Sequence, residues 1–337
     1  MHRVHDQNAH SWSEMSFAAV AVGIGHDKAP HQLHAGILHA ADGNEPEMLH
    51  LAWHHQLRND SPPQTYLWIQ PAFDKSRLRQ VAAMCRRIFR TNSSHGLPYG
   101  FGTPNDVFDP RTGEYLIDGS QYGLTCASFV LAVFHVTGLP LADYTTWPQG
   151  RPDDRPWQQF IVNALSRCSS HQGHLDRIRK DIGAVRFHPS EVAASAATAR
   201  VQSPARFEDI DQLGSDIRMR IARHHISRLF AELTNTPPSD DGTPTLGASQ
   251  QTAIALALRL AETHRLTPIE VQMKDISTTL LRFRHPYNPR ITLEIESDPT
   301  GTSMARMLRN GITVISGSFP NAEESVLTGF LSEDGNC

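Results

Sequence analysis

The sequence predicts an α+β protein in two parts: residues 1–235 form a first domain with a helical extension, and residues 250–337 a small α+β domain. Three observations carry this. The first 70 or so residues hold short strand-like runs cut by turn residues. The stretch that follows shows apolar residues at helical spacing. TNTPPSDDGTPTLGAS, residues 234–249, is rich in Pro, Gly, Ser, Thr and Asp and reads as a linker over 236–249.

In chain order, SFAAVAVGIG, HQLHAGILHA and EMLHLAWHH are strands, with ADGNEPE a hairpin turn between the last two; QTYLWIQP is a further strand. DKSRLRQVAAMCRRIFRT places Leu78, Val81, Met84, Cys85 and Ile88 on one helical face. SSHGLPYGFGTPNDVFDPRTGEYL is loop. A helix starts near Thr125 and stops at Gly138. Three helices follow: WQQFIVNALSR, PSEVAASAATARV (with Pro189 and Ser190 at its start) and FEDIDQLGSDIRMRIARHHISRLFAEL. After the linker come an amphipathic helix QQTAIALALRLAETH and strands IEVQMK, TTLLRFRH and RITLEIES. A short helix over Met304–Leu308, a strand ITVIS and a last helix complete the expected order.

Composition narrows the function. The 337 residues are 39% hydrophobic and 20% charged, enough for a proper core. A net charge of −4 with scattered basic residues offers no nucleic-acid footprint. No apolar stretch is long enough to span a bilayer, and the polar N-terminus lacks a secretory h-region, so the expectation is a cytoplasmic protein, signal-free secretion being the other route. Cys85, Cys126, Cys168 and Cys337 are widely spaced with no CxxC, which argues against a zinc ribbon or a disulfide framework. No cofactor is expected. His34, His39, His50 and His54 are a thinkable metal set, but no carboxylate stands at ligand spacing, so no metal is expected.

The chemistry centres on YGLTCASFVLAVF, residues 122–134, where one thiol heads an apolar helix. At a helix N-terminus, backbone N–H groups and the dipole favour a thiolate. The plain alternative is a small buried hydrophobe. A cysteine hydrolase also needs an imidazole base and a group that orients it. His135 lies nine residues on, about 13 Å along the helix, out of reach. His34 and His50 stand on adjacent strands joined by a turn, where two imidazoles can meet on one face. Cys126 is thus the nucleophile candidate, with one of His34 and His50 as base and the other as orienter, and His39, His54 and His55 as alternatives to His50 nearby. Cys85 and Cys168 sit at core spacing.

LHAGILHAADG…MLHLA resembles the HWGIY-type strand, turn and VIHLA-type strand of the lecithin:retinol acyltransferase-like enzymes, and TCASFV resembles their NCEHFV-type helix start. Histidine before cysteine is the order of the circularly permuted branch of the NlpC-type papain-fold superfamily. The resemblance covers about residues 30–60 and 120–140. It implies a permuted papain-like domain, an antiparallel sheet packed on the catalytic helix, with His34 as base, His50 as orienter and Cys126 as nucleophile. Ala35 stands where an aromatic residue is expected, and Thr125, before the cysteine, can serve as N-cap. The flanks look closer to bacterial members of the permuted branch than to the lipid acyltransferases.

Oxyanion stabilisation would come from the Cys126 N–H with Gln121 or Tyr122. Trp147 and Trp157 either line a cleft or pin their loop. The expected activity is thioester-mediated hydrolysis of a peptide, isopeptide or acyl bond, with acyl transfer second. The competing class is a papain-fold binding protein without turnover. The 250–337 domain shows no catalytic grouping and reads as an accessory module for a protein partner.

Overall fold

The computed structural model describes residues 4–5, 11–25, 32–41, 45–116, 123–168, 172–234, 248–274, 278–288, 290–298, 300, 302–319, 326–327 and 330. The chain forms two compact units, Met1–Gly23 with Leu33–Arg218, and Ile24–Gln32 with Met219–Cys337.

The first unit is built on a six-stranded sheet: β1 (Val4–His5), β2 (Ala18–Ile24), β3 (Leu33–His39), β4 (Glu47–Trp53), β5 (Gln56–Asp60) and β6 (Leu67–Ile69), in the order β1-β6-β2-β3-β4-β5. Ile37 stands opposite Leu49 and Leu38 opposite Met48, while Met48 and His50 stand opposite Asp60 and Arg58. Side chains alternate along a strand, so His34, Gly36 and Leu38 share one face with Met48, His50, Arg58 and Asp60. On that face Trp12, Ala19, Ala21, Leu38, Met48, Tyr66 and Trp68 form an apolar cluster. β1 and β5 carry no apolar alternation in sequence; both are edge strands, which need bury only one side of their ladder.

The helices of this unit are α1 (Lys75–Asn92), α2 (Cys126–Val136), α3 (Asp154–Cys168), α4 (Gln172–Lys180) and α5 (Pro189–Thr198). α2 packs on β3 and β4 and is buried all round from Cys126 to Phe134. Thr125 and Ser128 close a reciprocal capping box at its start, which fixes where the helix begins. Gly138, at φ +72°, follows its end. α4 has no expected counterpart; its sequence, QGHLDRIRK, offers too few apolar residues to register as periodic.

α6 (Phe207–Thr234) runs across the unit boundary, which falls between Arg218 and Met219. The expected boundary at 235 therefore moves upstream: Ala222, Ile226 and Phe230 of α6 belong to the second core, although the helix is continuous. Of the expected linker 236–249, residues 236–247 lie outside the described residues. The second unit continues with α7 (Ala248–His264) and a five-stranded antiparallel meander, β7 (Glu270–Met273), β8 (Thr279–Arg284), β9 (Ile291–Ser297), β10 (Ser303–Arg309) and β11 (Ile312–Phe319). Leu281, Phe283, Leu293, Ile295, Ala305 and Met307 fill its buried face with Ala253, Ala257 and Leu260 of α7. On the other face Arg282 bonds Glu270 and Glu294, and Arg306 bonds Glu294 and Glu296.

The short helix expected over Met304–Leu308 is strand β10 instead. Its burial alternates, with Ser303, Ala305 and Met307 in and Met304 at 46% exposure, because pairing to β9 and β11 outweighs the local helix preference of Met, Ala, Arg and Leu. Replacing Met307 by alanine should destabilise the second unit by about 2–5 kcal/mol, and Met304→Ala should stay within about 0.5 kcal/mol. Urea unfolding of the intact chain checks this; equal losses at both positions, as on one helical face, would refute the strand.

Candidate active site

The site is built at the end of β3 where its ladder with β4 stops. The last pair of that ladder is Ile37 with Leu49. Ala40 donates its N–H toward β2, to Phe17, so even-numbered peptide groups of β3 face β2 and odd-numbered ones face β4. Ala35 therefore turns its N–H to the side that β4 has left, where it acts on the Cys126 thiol and lowers its pKa. The Ala127 N–H, in the first turn of α2, acts on the same thiol in the same direction.

His34 Nε2 and His50 Nδ1 are 2.8 Å apart, and His50 Nε2 lies 3.2 Å from Asp60 Oδ2. A carboxylate only accepts, so the His50 Nε2–H donates to Asp60. His50 Nδ1 is then an acceptor and takes the His34 Nε2–H. One direction runs through the chain, and His34 Nδ1 is left as the basic nitrogen. Gly36 makes room for this contact: a Cβ there would fall 2.8 Å from Met48 Cγ and 3.1 Å from His50 Cβ. Asp60, on the edge strand that the sequence does not reveal, is the residue that sequence reasoning missed; only its place two residues beyond Arg58, opposite His50, marks it.

Burial dominates the electrostatics. It lowers the His34 pKa to about 3, with His50 adding to the shift, and lowers that of His50 against the raising effect of Asp60. Cys126 is 7% exposed, and burial raises its pKa, opposed by the Ala35 and Ala127 N–H groups and by Arg186. Of the two readings the sequence left open for this thiol, the packing favours the buried one: desolvation outweighs the pull of the helix-start N–H groups, so the Cys126 pKa is raised while that of His34 is lowered. Among the described residues no hydrogen bond joins the thiol to the His34 ring; the group of β3 that acts on the thiol is the backbone N–H of the next residue, Ala35.

Tyr99 is a second residue not foreseen. The buried Tyr99 ring lies beside Cys126, whose thiol and backbone N–H both act on the ionisation of its hydroxyl. It lies there because Leu124 donates to Pro98 O and Gly100 and Gly102 donate to Leu124 O and Gly123 O, tying the 98–102 loop to the start of α2. Gly123, at φ +104°, is required for this approach, since a Cβ would lie 2.5 Å from Pro98 O. Gln121 and Tyr122, the expected oxyanion donors, lie outside the described residues, as does Cys337.

Other candidates find structural places. His39 bonds Asn59 at 2.7 Å. His54 and His55 form the β4–β5 turn. Cys85 is buried in α1, its pKa raised by desolvation. Trp147 donates to Glu191 and packs on Phe187 and Phe207, pinning its loop. Trp157 lies under Arg186 and lines a small cleft with Phe101, Gly102, Thr125, Ser128 and Gln158, beside the start of α2. Asp153, Asp154 and His188 have metal-like spacing, but Arg186 faces both carboxylates and Arg151 bonds Asp154 and Glu191, so the cluster is a neutralised ion-pair network.

No protein-family model, curated protein or solved structure matches the chain.

The His34 shift has a sign. Between pH 6.5 and about 3 the folded ring stays neutral while the unfolded ring takes a proton, so its contribution is full above 6.5 and is lost as pH falls toward 3. His34→Gln should therefore lose less stability than the parent between pH ~7 and ~4.5 in urea titrations; parallel losses would show that the ring is not held neutral.

Proposed function

We propose that the first unit is a cysteine hydrolase of amide or isopeptide bonds with a circularly permuted papain-like arrangement. The observation that carries this reading is the one-way chain Asp60–His50–His34, which leaves an unprotonated nitrogen on His34, the residue before Ala35, whose N–H acts on the Cys126 thiol. Such bonds are often long before substrate binds and close in the reacting complex.

In this reading Cys126 Sγ attacks the substrate carbonyl carbon as its proton passes to His34 Nδ1. The negative charge on the carbonyl oxygen meets the Cys126 N–H and the hydroxyl of Tyr99, whose loop is tied by backbone hydrogen bonds to the residues just before α2. The C–N bond then breaks, and the amine leaves with the proton from His34. The thioester is cleaved by water, whose proton goes to His34 and back to the sulfur, releasing the carboxylic acid. Transfer of the acyl group to another acceptor uses the same residues. The second unit, whose exposed charges pair across its own strands, is an accessory module.

One observation favours the competing reading, a binding protein without turnover: the thiol is buried, which raises its pKa. Acylation by p-nitrophenyl acetate, followed by mass spectrometry, separates the two. The parent should acquire one acetyl group at Cys126, and Cys126→Ala none. His34→Ala should lose about 10²-fold or more in rate, while Asp60→Asn should lose less, because an orienter improves the base rather than replacing it. Cys85→Ala should behave as the parent. Since thiol and imidazole are both neutral at rest, iodoacetamide should alkylate Cys126 slowly at pH ~6 and faster as the thiol ionises. A parent that is not acylated at Cys126, or a His34→Ala variant as fast as the parent, would favour the binding protein.

A further inference from the structure

The turn between β4 and β5 is an unusual place for two histidines. A two-residue hairpin turn prefers Asn-Gly or Gly-containing pairs, because its residues take positive φ. Here His54 and His55 occupy it, with His55 at φ +55°. A non-glycine residue in that region is strained by about 1 kcal/mol. Both histidines are spent on the loop that carries Tyr99. His55 donates its backbone N–H to Leu97 O at 2.8 Å, and its Nδ1 lies 3.0 Å from His95 O. His54 Nδ1 accepts the Tyr99 backbone N–H at 3.1 Å. From α4, His174 Nε2 donates to the Tyr99 carbonyl at 3.0 Å, and its ring stacks on that of His54 with centroids 4.6 Å apart. Trp53 packs on the Tyr99 ring at 4.9 Å.

We propose that His54 and His174 are positioning residues that hold Tyr99 by both backbone groups and so aim its hydroxyl at the carbonyl oxygen of a substrate bound at Cys126. The inference rests on the cysteine-hydrolase reading and goes beyond it. The same β4–β5 hairpin carries His50 and Asp60 along its length and His54 at its tip. One hairpin thus places both the base chain and the oxyanion donor, so the two stay in register with each other. A side chain as long as tyrosine amplifies small backbone shifts at its hydroxyl, and a misplacement of about 1 Å at a reacting group can lower a rate about 10²-fold.

Two probes at Cys126 divide positioning from general damage. Acylation by p-nitrophenyl acetate passes through an oxyanion: the C–S bond forms, the C–O bond breaks, and the thiol proton leaves through His34 with nitrophenol. Alkylation by iodoacetamide displaces iodide and forms no oxyanion. His54→Ala and His174→Phe should lower the acylation rate by about 10-fold or more with alkylation unchanged. His54→Asn, whose amide oxygen can accept the Tyr99 N–H, and His174→Gln, whose amide can donate to the carbonyl, should restore it. Tyr99→Phe should slow acylation as much, and Tyr99→Phe with His54→Ala should slow it no further. Hydrogen exchange of the Tyr99 amide, read on the same proteins, should be faster in His54→Ala and protected again in His54→Asn. Parental acylation in both His54→Ala and His174→Phe overturns the proposal and leaves the hydrolase reading standing. Loss of acylation and alkylation together, or additive losses with Tyr99→Phe, overturns it in favour of a structural role. A parent that is never acylated at Cys126 overturns the hydrolase reading and this proposal with it, while the exchange data still report whether the histidines hold the loop.

Discussion

The first unit depends on a bond between two histidines in its sheet, one buried and one half-buried. Two imidazoles 2.8 Å apart can share a hydrogen bond only if one donates and the other accepts, so at least the acceptor must be neutral, and the tautomers must agree. Burial supplies the first condition by disfavouring the imidazolium. Asp60 supplies the second by accepting from the far nitrogen of His50. The missing side chain at Gly36 is the steric counterpart, since any Cβ would press on Met48 and His50. An edge strand, a glycine and a half-exposed carboxylate thus serve one contact.

The same desolvation that keeps the histidines neutral also keeps the thiol protonated. A helix N-terminus lowers a cysteine pKa when solvent or a nearby charge helps to hold the anion. At Cys126 the N–H groups of Ala35 and Ala127 and the charge of Arg186 act in that direction, but they do not offset burial. The proposed chemistry accommodates this through a neutral pair that exchanges its proton during attack, rather than through a preformed ion pair. In a dry site a hydrogen-bond donor aimed at developing charge is worth more than in water, which gives the placement of Tyr99 its weight.

The second unit follows a different principle. Its meander buries one face against α7 and the last turns of α6, and its other face is covered by carboxylate–guanidinium pairs between neighbouring strands. Exposed pairs of this kind contribute little stability each, but they match opposite charges across the register and disfavour a strand slip. The chemistry-bearing residues at Cys126 are all in the first unit.

By itself the sequence determined the strands around His34 and His50, the helix that begins at Cys126 and the cap at Thr125, because each is written in local alternation, periodicity and capping chemistry. The pairing of His34 with His50 was also legible, since two strands joined by a turn bring matching positions onto one face. The misreading of β10 as helix has the opposite origin: local preference pointed one way, and partners supplied by β9 and β11 decided the other. Asp60 and Tyr99 were not legible. Asp60 lies on an edge strand without apolar alternation, and Tyr99 lies in a loop whose course is set by hydrogen bonds to residues 123–124 and to the histidines at 54 and 174. The charge state of the thiol was likewise beyond sequence reading. A pKa responds to how much water is excluded from all directions, and only the packed tertiary structure decides that.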